Sequence, residues 1–327
     1  MGSGRRRTGA VLAAIAVLVA AGLGGWWALR TGLGPLPDPE QCVASVDDYS
    51  VAMSTEQAEN ASIIAAVAER RRLPARAVSI AIATAFQESK LENLDGGDRD
   101  SLGLFQQRPS QGWGSKRQIM DPYYATNAFY DALIEVDGYE DMPITEAAQA
   151  VQRSAFPDAY ADHEQDGRTI ASAMSGNSPA AFSCSIDDPE LADEQPGGDG
   201  LTARAAEVRA DLSTSFGELD ISTGVGESSP DDASETRAHE AGRGIYISFG
   251  PDDAPRTREG WVLAHYLVAN ADRLHVERVV FDDRVWEAGG DADEGWRDYE
   301  PPGVDGDVRA GTRAELEHRG TVHVAVA

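Results

Sequence analysis

Gln87 to Gln106 is the stretch around which this chain is organised. It contains Gln87-Glu88-Ser89, the loop Asp95-Gly96-Gly97-Asp98-Arg99-Asp100 and the return Ser101-Leu102-Gly103-Leu104-Phe105-Gln106. The first piece ends an apolar run, and the second is too rich in turn-forming residues to continue a helix. The third piece returns polar groups to the end of that run. We therefore expect a helix, a loop and a short return that together place a carboxyl group in a packed site.

The helix that carries Glu88 is predicted to begin after Pro74, which suits a first helical position. Apolar residues recur at helical spacing from Ala75 to Leu91, with no glycine or internal proline. Small residues share the face of Glu88, so another element can pack closely against it. A carboxyl group there loses water, which raises its pKa and suits a general acid. The alternative is a solvated glutamate at the end of a helix.

Glu88-Ser89, Gly97-Asp98-Arg99 and Gly103-Leu104-Phe105-Gln106 occur in this order, and the set resembles the goose-type lysozymes and soluble lytic transglycosylases. The resemblance covers roughly Ser54 to Gly176. It implies a mainly α lysozyme-like domain, predicted at residues 42–184. Phe105 stands where the family usually has Met.

A second departure from the family follows farther along the chain. Transglycosylases close this region with Tyr-Asn-Ala-Gly, whereas this chain has Val151-Gln152-Arg153-Ser154-Ala155 before Phe156 to Tyr160. We expect a helix from Thr145 to Ala155.

The resemblance implies that Glu88 is the catalytic acid and that Gln106 shapes the sugar-binding cleft. Asp98 is the candidate second carboxylate, because Gly-Asp-Arg occurs in the corresponding loop of some goose-type enzymes; the alternative is a solvated acidic loop. Trp113 is flanked by glycines, and its indole either stacks on a sugar ring or fills the core. Ser89 and Tyr160 complete the predicted substrate-binding set.

The N-terminal residues 1–30 are predicted to be a membrane anchor. Arg5, Arg6 and Arg7 precede the uncharged run Thr8 to Leu29, which at about 20 residues is long enough to cross a bilayer. The arginines favour a cytoplasmic N-terminus, so the remainder would lie outside the cell, linked through residues 31–41. The alternative is a cleaved signal peptide, with a cleavage site near Ala20-Ala21.

The two cysteines, Cys42 and Cys184, flank the lysozyme-like region. In an exported chain, cysteines at the borders of one domain suggest a disulfide. The alternative is a pair of free thiols.

Residues 185–200 are acidic and rich in Pro and Gly, which predicts a solvated linker. Residues 201–327 then change character and are predicted to form a small α+β domain. Its predicted strands are Gly244–Phe249, Val276–Phe281, Arg284–Trp286 and Thr321–Ala325, with Glu259 to Leu274 helical. Asp282-Asp283 would turn the middle two strands into a hairpin.

The C-terminal region is similar to a module of secreted actinobacterial proteins that is itself similar to zinc DD-carboxypeptidases. The residues that carry this similarity are His239-Glu-Ala-Gly242-Arg243-Gly-Ile-Tyr246, Leu267 to Leu274, Val285-Trp286, Gly295-Trp296-Arg297 and Val322-His323-Val324.

Those enzymes hold zinc with a His, an Asp and a final His-x-His strand. Here Tyr246 replaces the Asp and Thr321 replaces the first His of the pair, so His239 and His323 remain. His318 precedes the strand and is expected to be an exposed loop residue. Because a working zinc site needs three protein ligands, we expect no metal and no catalysis in this region.

The composition limits the partners of the chain. A formal net charge of −27 would repel nucleic acid, and no basic patch follows the N-terminal arginines. No Walker loop or dinucleotide fingerprint is present, so no cofactor is expected.

The sequence therefore predicts a multi-domain protein of the cell membrane, with a single transmembrane helix, a mainly α lysozyme-like domain and a small α+β domain. Its expected activity is cleavage of peptidoglycan glycan strands by an extracellular lytic transglycosylase or lysozyme. A cell-wall protein is the expected partner of the C-terminal domain. The alternative is a non-catalytic wall protein in which both domains have lost their activity.

Overall fold

Two consecutive buried helices carry the centre of the N-terminal region. Helix α1 spans Thr55–Arg70 and helix α2 spans Ala75–Ser89. A capping box closes the N-terminus of α1: the Ser54 hydroxyl accepts the Gln57 N–H at 3.2 Å, and the Gln57 side chain accepts the Ser54 N–H at 2.9 Å. Most of α2 is buried because small and apolar residues surround its whole circumference.

The computed structural model describes residues 40–154, 158–222, 238, 240–248, 255–299 and 320–327. Further helices pack around α1 and α2 in the N-terminal half, and others lie in the C-terminal half. In chain order they are α3 Lys116–Ile119, α4 Pro122–Ile134, α5 Ile144–Gln152, α6 Glu164–Met174, α7 Ala203–Phe216, α8 Pro255–Ala269 and α9 Ala271–Leu274. Short 3-10 turns occur at Pro109–Gln111, Ala159–His163 and Gly289–Glu294.

A small antiparallel sheet closes the N-terminal region, which was predicted to be mainly α. Its strands are β1 Gln41–Val46, β2 Tyr49–Met53 and β3 Phe182–Ser185, in the order β2-β1-β3. Cys42 pairs directly with Cys184 across β1 and β3, and the two are joined by a disulfide. The prediction that these cysteines are bonded is therefore confirmed.

Six of the described strands form a second antiparallel sheet, in the order β4-β5-β9-β6-β7-β8. They are β4 Asp220–Ser222, β5 Gly244–Ser248, β6 Val276–Phe281, β7 Arg284–Glu287, β8 Arg297–Asp298 and β9 Thr321–Val326. Asp282 and Asp283 have φ of 52° and 59° and connect β6 to β7 as predicted, since both central residues of such a two-residue turn need a positive φ.

The sheet and its helix α8 pack against the N-terminal helices, and residues from Glu40 to Ala327 form one compact unit. Arg258 makes two hydrogen bonds to Glu69, at 2.7 and 2.8 Å. The indole nitrogens of Trp286 and Trp296 donate to the carbonyls of Cys184 and Phe182, at 3.0 and 2.7 Å. The Arg258 pair joins α8 to α1, and the two indole hydrogen bonds attach strand β7 and the residue before β8 to strand β3.

His265 of α8 lies completely buried at the same contact. Its Nδ1 is 2.9 Å from the Ala173 carbonyl, which can only accept, so Nδ1 carries the proton. Burial lowers the pKa of His265 to about 4, and the imidazole is neutral at pH 7. Its ring contacts Trp261, Trp296 and Phe182.

Two sequence expectations are corrected. The fold combines helices with two antiparallel sheets from Glu40 onward, so a mainly α domain followed by a small α+β domain was the wrong fold class. No helix in the described ranges is long and apolar enough to cross a membrane, and the predicted span Thr8 to Leu29 lies outside those ranges. The predicted transmembrane helix and single-pass membrane location are therefore not retained.

Candidate functional site around Glu88

Glu88 lies in the last turn of α2, where the chain changes direction sharply. Lys90 and Leu91 follow with φ of 60° and 61°, which ends the helix in a left-handed conformation. The carboxyl group is half-buried. It also lies near the negative end of the helix dipole, which disfavours a second negative charge.

The Glu88 carboxyl is held by Tyr160, whose hydroxyl donates to Glu88 Oε1 at 2.7 Å. Burial raises the pKa of Glu88, and the polar side chains of Tyr160 and Gln152 partly oppose this, so the pKa stays above its ordinary value. A raised pKa favours the protonated form of the carboxyl group, which a general acid requires.

Tyr160 is completely buried on the 3-10 turn Ala159–His163. Burial and the neighbouring Glu88 raise the pKa of its phenol, so the hydroxyl remains protonated and donates. The Ser154 side chain partly opposes this rise in the pKa. The sequence placed Tyr160 among the substrate-binding candidates, and the structure places it against the carboxyl of Glu88 itself.

Ser89 fixes the return loop that follows the acidic turn. Its hydroxyl contacts the carbonyl of Leu104 at 2.7 Å and that of Ala85 at 3.0 Å. The loop is closed by a pair of backbone hydrogen bonds between Leu102 and Gln107, at 2.9 and 3.0 Å. Ser89 is 4% exposed, so in this structure it holds the loop in place beside Glu88.

Gln106 lies at the end of the return loop with a positive φ of 45°. Its Nε2 donates to the Gly103 carbonyl at 3.3 Å. A methyl group added at Gly97 would lie 1.7 Å from Gln106 Oε1, so the acidic loop and the return touch at these two residues. Gln106 therefore contacts the acidic loop, and its role in a sugar-binding cleft stays a prediction.

Two carboxylates of the acidic loop, Asp98 and Asp100, lie in different surroundings. The side chain of Asp98 is 94% exposed, and its nearest cation is Arg99, 3.9 Å away. Asp100 accepts the Ser110 N–H at 2.8 Å and the Arg108 guanidinium at 2.7 Å, and these donors hold its pKa well below the usual range. Asp98 is therefore accessible and held only weakly, whereas the hydrogen bonds of Asp100 fix its side chain and stabilise the loop.

Trp113 is half-buried and packs against the hydrophobic core of the chain. The next residue, Gly114, has a φ of 136°, and a side chain there would meet the Tyr124 ring within 3 Å. The indole is thus partly core and partly surface, which leaves both sequence interpretations of Trp113 open.

The predicted remnant of a zinc site lies only partly within the described residues. His323 of β9 is buried and pairs with Tyr246 of β5, with ring centroids 4.8 Å apart. His239 and His318 lie outside the described ranges. Within those ranges, no group of three or more His, Cys, Asp or Glu residues is arranged to hold a metal.

Two grooves elsewhere on the molecule have volumes of about 480 and about 420 Å3. The larger includes Glu69, Arg72 and Arg258 in its lining, and the smaller includes Arg70, Arg71 and Tyr123. Glu88 lines neither groove. We base the site on Glu88 because its carboxyl combines burial, a hydrogen bond from Tyr160 and a raised pKa, whereas groove volume alone indicates no reaction.

Sequence reasoning missed Gln152 and Ser154, which reach the site from the end of α5. Both lie in the segment that departs from the transglycosylase pattern, and no local signal in that segment points to Glu88. Their proximity depends on how α5 packs beside α2, a contact between residues more than sixty positions apart.

Comparison with known proteins finds a family model that matches part of the chain. The family described as VldE, C-terminal domain, matches residues 197–308. No curated protein matches the chain. The match falls mostly within the C-terminal region, and the lysozyme-like and DD-carboxypeptidase-like resemblances stay predictions from the sequence motifs.

Proposed function

We propose that this protein cleaves the β-1,4 bond between N-acetylmuramic acid and N-acetylglucosamine in peptidoglycan, with Glu88 as the general acid. The observation that carries the proposal is the half-buried Glu88 carboxyl, whose pKa is raised by burial and which Tyr160 holds at 2.7 Å. The ordered motifs around Glu88 supply the substrate class, by resemblance to the goose-type lysozymes and lytic transglycosylases.

In the proposed reaction, Glu88 gives its proton to the glycosidic oxygen as the bond to C1 of the muramoyl residue breaks. The resulting carboxylate then takes a proton from the muramoyl 6-hydroxyl as that oxygen attacks C1. The product is a 1,6-anhydro sugar, and Glu88 ends protonated as it began. The Tyr160 hydroxyl donates to the carboxyl, and both Tyr160 and Gln152 lower its pKa and so favour its ionised form between the two steps.

Asp98 offers the other outcome, in which a carboxylate activates water on the opposite face of the ring and the bond is hydrolysed with inversion. Its 94% exposure and its 3.9 Å separation from Arg99 leave its direction unfixed. Asp100 is already bound by Arg108 and Ser110. We therefore favour the route in which Glu88 serves both as acid and as base.

The test compares the purified full chain with Glu88→Gln and Asp98→Asn variants on peptidoglycan, using mass spectrometry of the released muropeptides. Anhydro and reducing ends differ by one water. Glu88→Gln should lose activity by about 100-fold or more, because the amide cannot give up a proton. Asp98→Asn should stay within a few-fold of wild type and give the same anhydro product.

Activity of Glu88→Gln within a few-fold of wild type would refute the role of Glu88. Reducing ends together with a large loss in Asp98→Asn would replace the transfer route with hydrolysis. Glycan binding by a wild-type chain that releases no muropeptides would favour the non-catalytic wall protein.

A further inference from the structure

A groove of about 420 Å3 lies where α1 packs beside α4 and α7, and Glu88 does not line it. Its volume falls within the range of about 300–1,000 Å3 that is typical of small-molecule sites. Val67, Arg70 and Arg71 line it from the last turn of α1 and from the residue that caps this helix. Because they stand at positions i, i+3 and i+4, their side chains share one face of α1.

The two arginines are fixed to different walls of this groove. Arg70 Nη1 donates to the backbone carbonyl of Thr214 in α7 at 3.0 Å. Arg71 turns to α4, where it donates to the backbone carbonyl of Asn127 at 3.0 Å and to the Asp131 carboxylate at 2.7 Å. Each guanidinium group is therefore held by an element packed beside α1, so little side-chain entropy is lost when a ligand binds.

The lining of the groove is positively charged in a chain whose formal net charge is −27. Two guanidinium groups line it, and its other described lining residues are neutral. Asp131 neutralises Arg71 only in part, since the carboxylate side chain is 71% exposed to solvent. Arg70 has no carboxylate partner in the part of the chain that the structure describes. Arg70 thus keeps its charge and most of its five N–H donors for a ligand.

These arginines also have a structural role. Helix α1 ends at Arg70, and cations near the C-terminus of a helix stabilise the negative end of its dipole. Arg72 stands at the same helix end and is exposed, yet it lines the larger groove instead. Arg72 therefore shares the effect on the dipole without lining the smaller groove, which makes it a control for ligand binding.

We propose that the smaller groove binds the oxyanion of a small polar ligand, a carboxylate or a phosphate, with Arg70 as its main contact and Arg71 beside it. A planar guanidinium group offers two parallel N–H donors, which match two oxygens of either anion. Val67 and the half-buried Tyr123 line the groove with the arginines and face the uncharged part of the ligand. This binding does not depend on the proposed cleavage of glycan.

The test titrates the full chain, labelled with nitrogen-15 in arginine, with inorganic phosphate and separately with N-acetylalanine at constant ionic strength. The Nε–H signals of Arg70 and Arg71 report binding, and each is assigned by its absence in Arg70→Gln or Arg71→Gln. We expect saturable shifts of both signals with at least one probe. Tighter binding of phosphate would identify a phosphate site, and tighter binding of N-acetylalanine would identify a carboxylate site.

Two substitutions locate the site, with Arg72→Gln as the matched control. Arg70→Gln should weaken binding, followed at the Arg71 signal, by about tenfold or more, because charge-assisted hydrogen bonds are the strong ones. Arg72→Gln removes the same charge from the same helix end and should change the affinity by less than about twofold, since exposed charges are screened. Thr214→Glu places a carboxylate at an exposed lining position and should abolish binding, whereas Thr214→Gln should retain it.

The absence of saturable shifts with both probes would overturn the proposal. Equal weakening in Arg70→Gln and Arg72→Gln would also overturn it, because the anion would then respond only to the general charge at the end of α1. If Arg70→Gln does not fold, unchanged affinity in Thr214→Glu refutes the site by itself. Oxyanion binding in a chain that cleaves no glycan would support the groove site and refute the proposed function alone.

Discussion

Glu88 combines its proposed role as a general acid with a cost in stability. Its carboxyl group is half-buried near the end of α2, and burial raises its pKa despite the opposing effects of Tyr160 and Gln152. Lysine or arginine would lower the pKa of a neighbouring carboxyl, and neither is among the groups that shift this one. The environment of Glu88 therefore favours the neutral acid.

Glu88→Gln should stabilise the fold at pH 7 while it removes activity. In the folded state the pKa of Glu88 lies above its ordinary value of 4.5, so the native protein binds more protons than the unfolded chain. The stability this confers is fully present below pH 4.5 and is lost as the pH rises through the folded pKa. We expect a gain on the order of 1 kcal/mol at pH 7 and little difference near pH 4.

Urea unfolding of the two proteins at pH 7 and pH 4 measures this difference. A variant that is less stable than wild type at pH 7, or a difference that does not change with pH, would contradict the raised pKa.

At the scale of the element, two glycines constrain the return loop and the acidic loop before it in different ways. Gly103 has a φ of 73°, and a methyl group there would lie 2.7 Å from the backbone oxygen of Ile119. A methyl group at Gly97 would lie 1.7 Å from Gln106 Oε1 and 3.2 Å from the Ser101 Cβ, and the end of the Gln106 side chain can move. Gly103 is thus needed by the fold, and Gly97 is needed by the position of Gln106.

These constraints predict that one alanine substitution lowers stability and that the other lowers activity. Gly103→Ala should destabilise the protein by about 1–3 kcal/mol, because both its backbone conformation and its space exclude a side chain. Gly97→Ala should change the stability by less than about 1 kcal/mol. It should nevertheless lower peptidoglycan cleavage by about tenfold, because the displaced Gln106 side chain lies in the proposed cleft.

Chemical denaturation and muropeptide release, measured on both variants, give the two comparisons. Full activity in Gly97→Ala would show that the position of Gln106 does not matter for the proposed reaction.

At the scale of the whole molecule, the C-terminal sheet and α8 act as part of one body with the N-terminal helices. Arg258 binds Glu69, and Trp286 and Trp296 bind carbonyls of β3. The polar contact between Asn270 of the C-terminal region and Ser62 of α1, at 2.9 Å, is buried. Such contacts couple the folding of the two regions, although the sequence suggests a linker between them.

Replacing both Cys42 and Cys184 with serine should therefore lower the stability of the whole body. The disulfide joins positions 142 residues apart, and removing such a bond costs about 2–5 kcal/mol. Because β3 contacts both the first sheet and the two tryptophans, we expect one cooperative unfolding transition in the variant and in the wild type. Differential scanning calorimetry distinguishes this from two separate transitions, which would show that the regions fold independently.

The sequence determined the local elements whose signals lie within a few residues. We predicted the helix that ends near Glu88, the Asp282-Asp283 hairpin and the strand Val276–Phe281 from periodicity and turn residues. Charge and cysteine number likewise needed no coordinates, and the disulfide followed from the position of Cys42 and Cys184. These features depend on short-range sterics and hydrogen bonds, which a single segment specifies.

Only the tertiary structure decided which residues meet at Glu88 and how the two regions are joined. Strand β3 is short and pairs with β1, which lies about 140 residues earlier in the chain, so this part of the first sheet left little trace in the β3 segment alone. Gln152 and Tyr160 reach Glu88 from positions 64 and 72 residues later for the same reason. A local pattern specifies backbone conformation, whereas the partners of a buried polar group depend on which distant surfaces exclude water together.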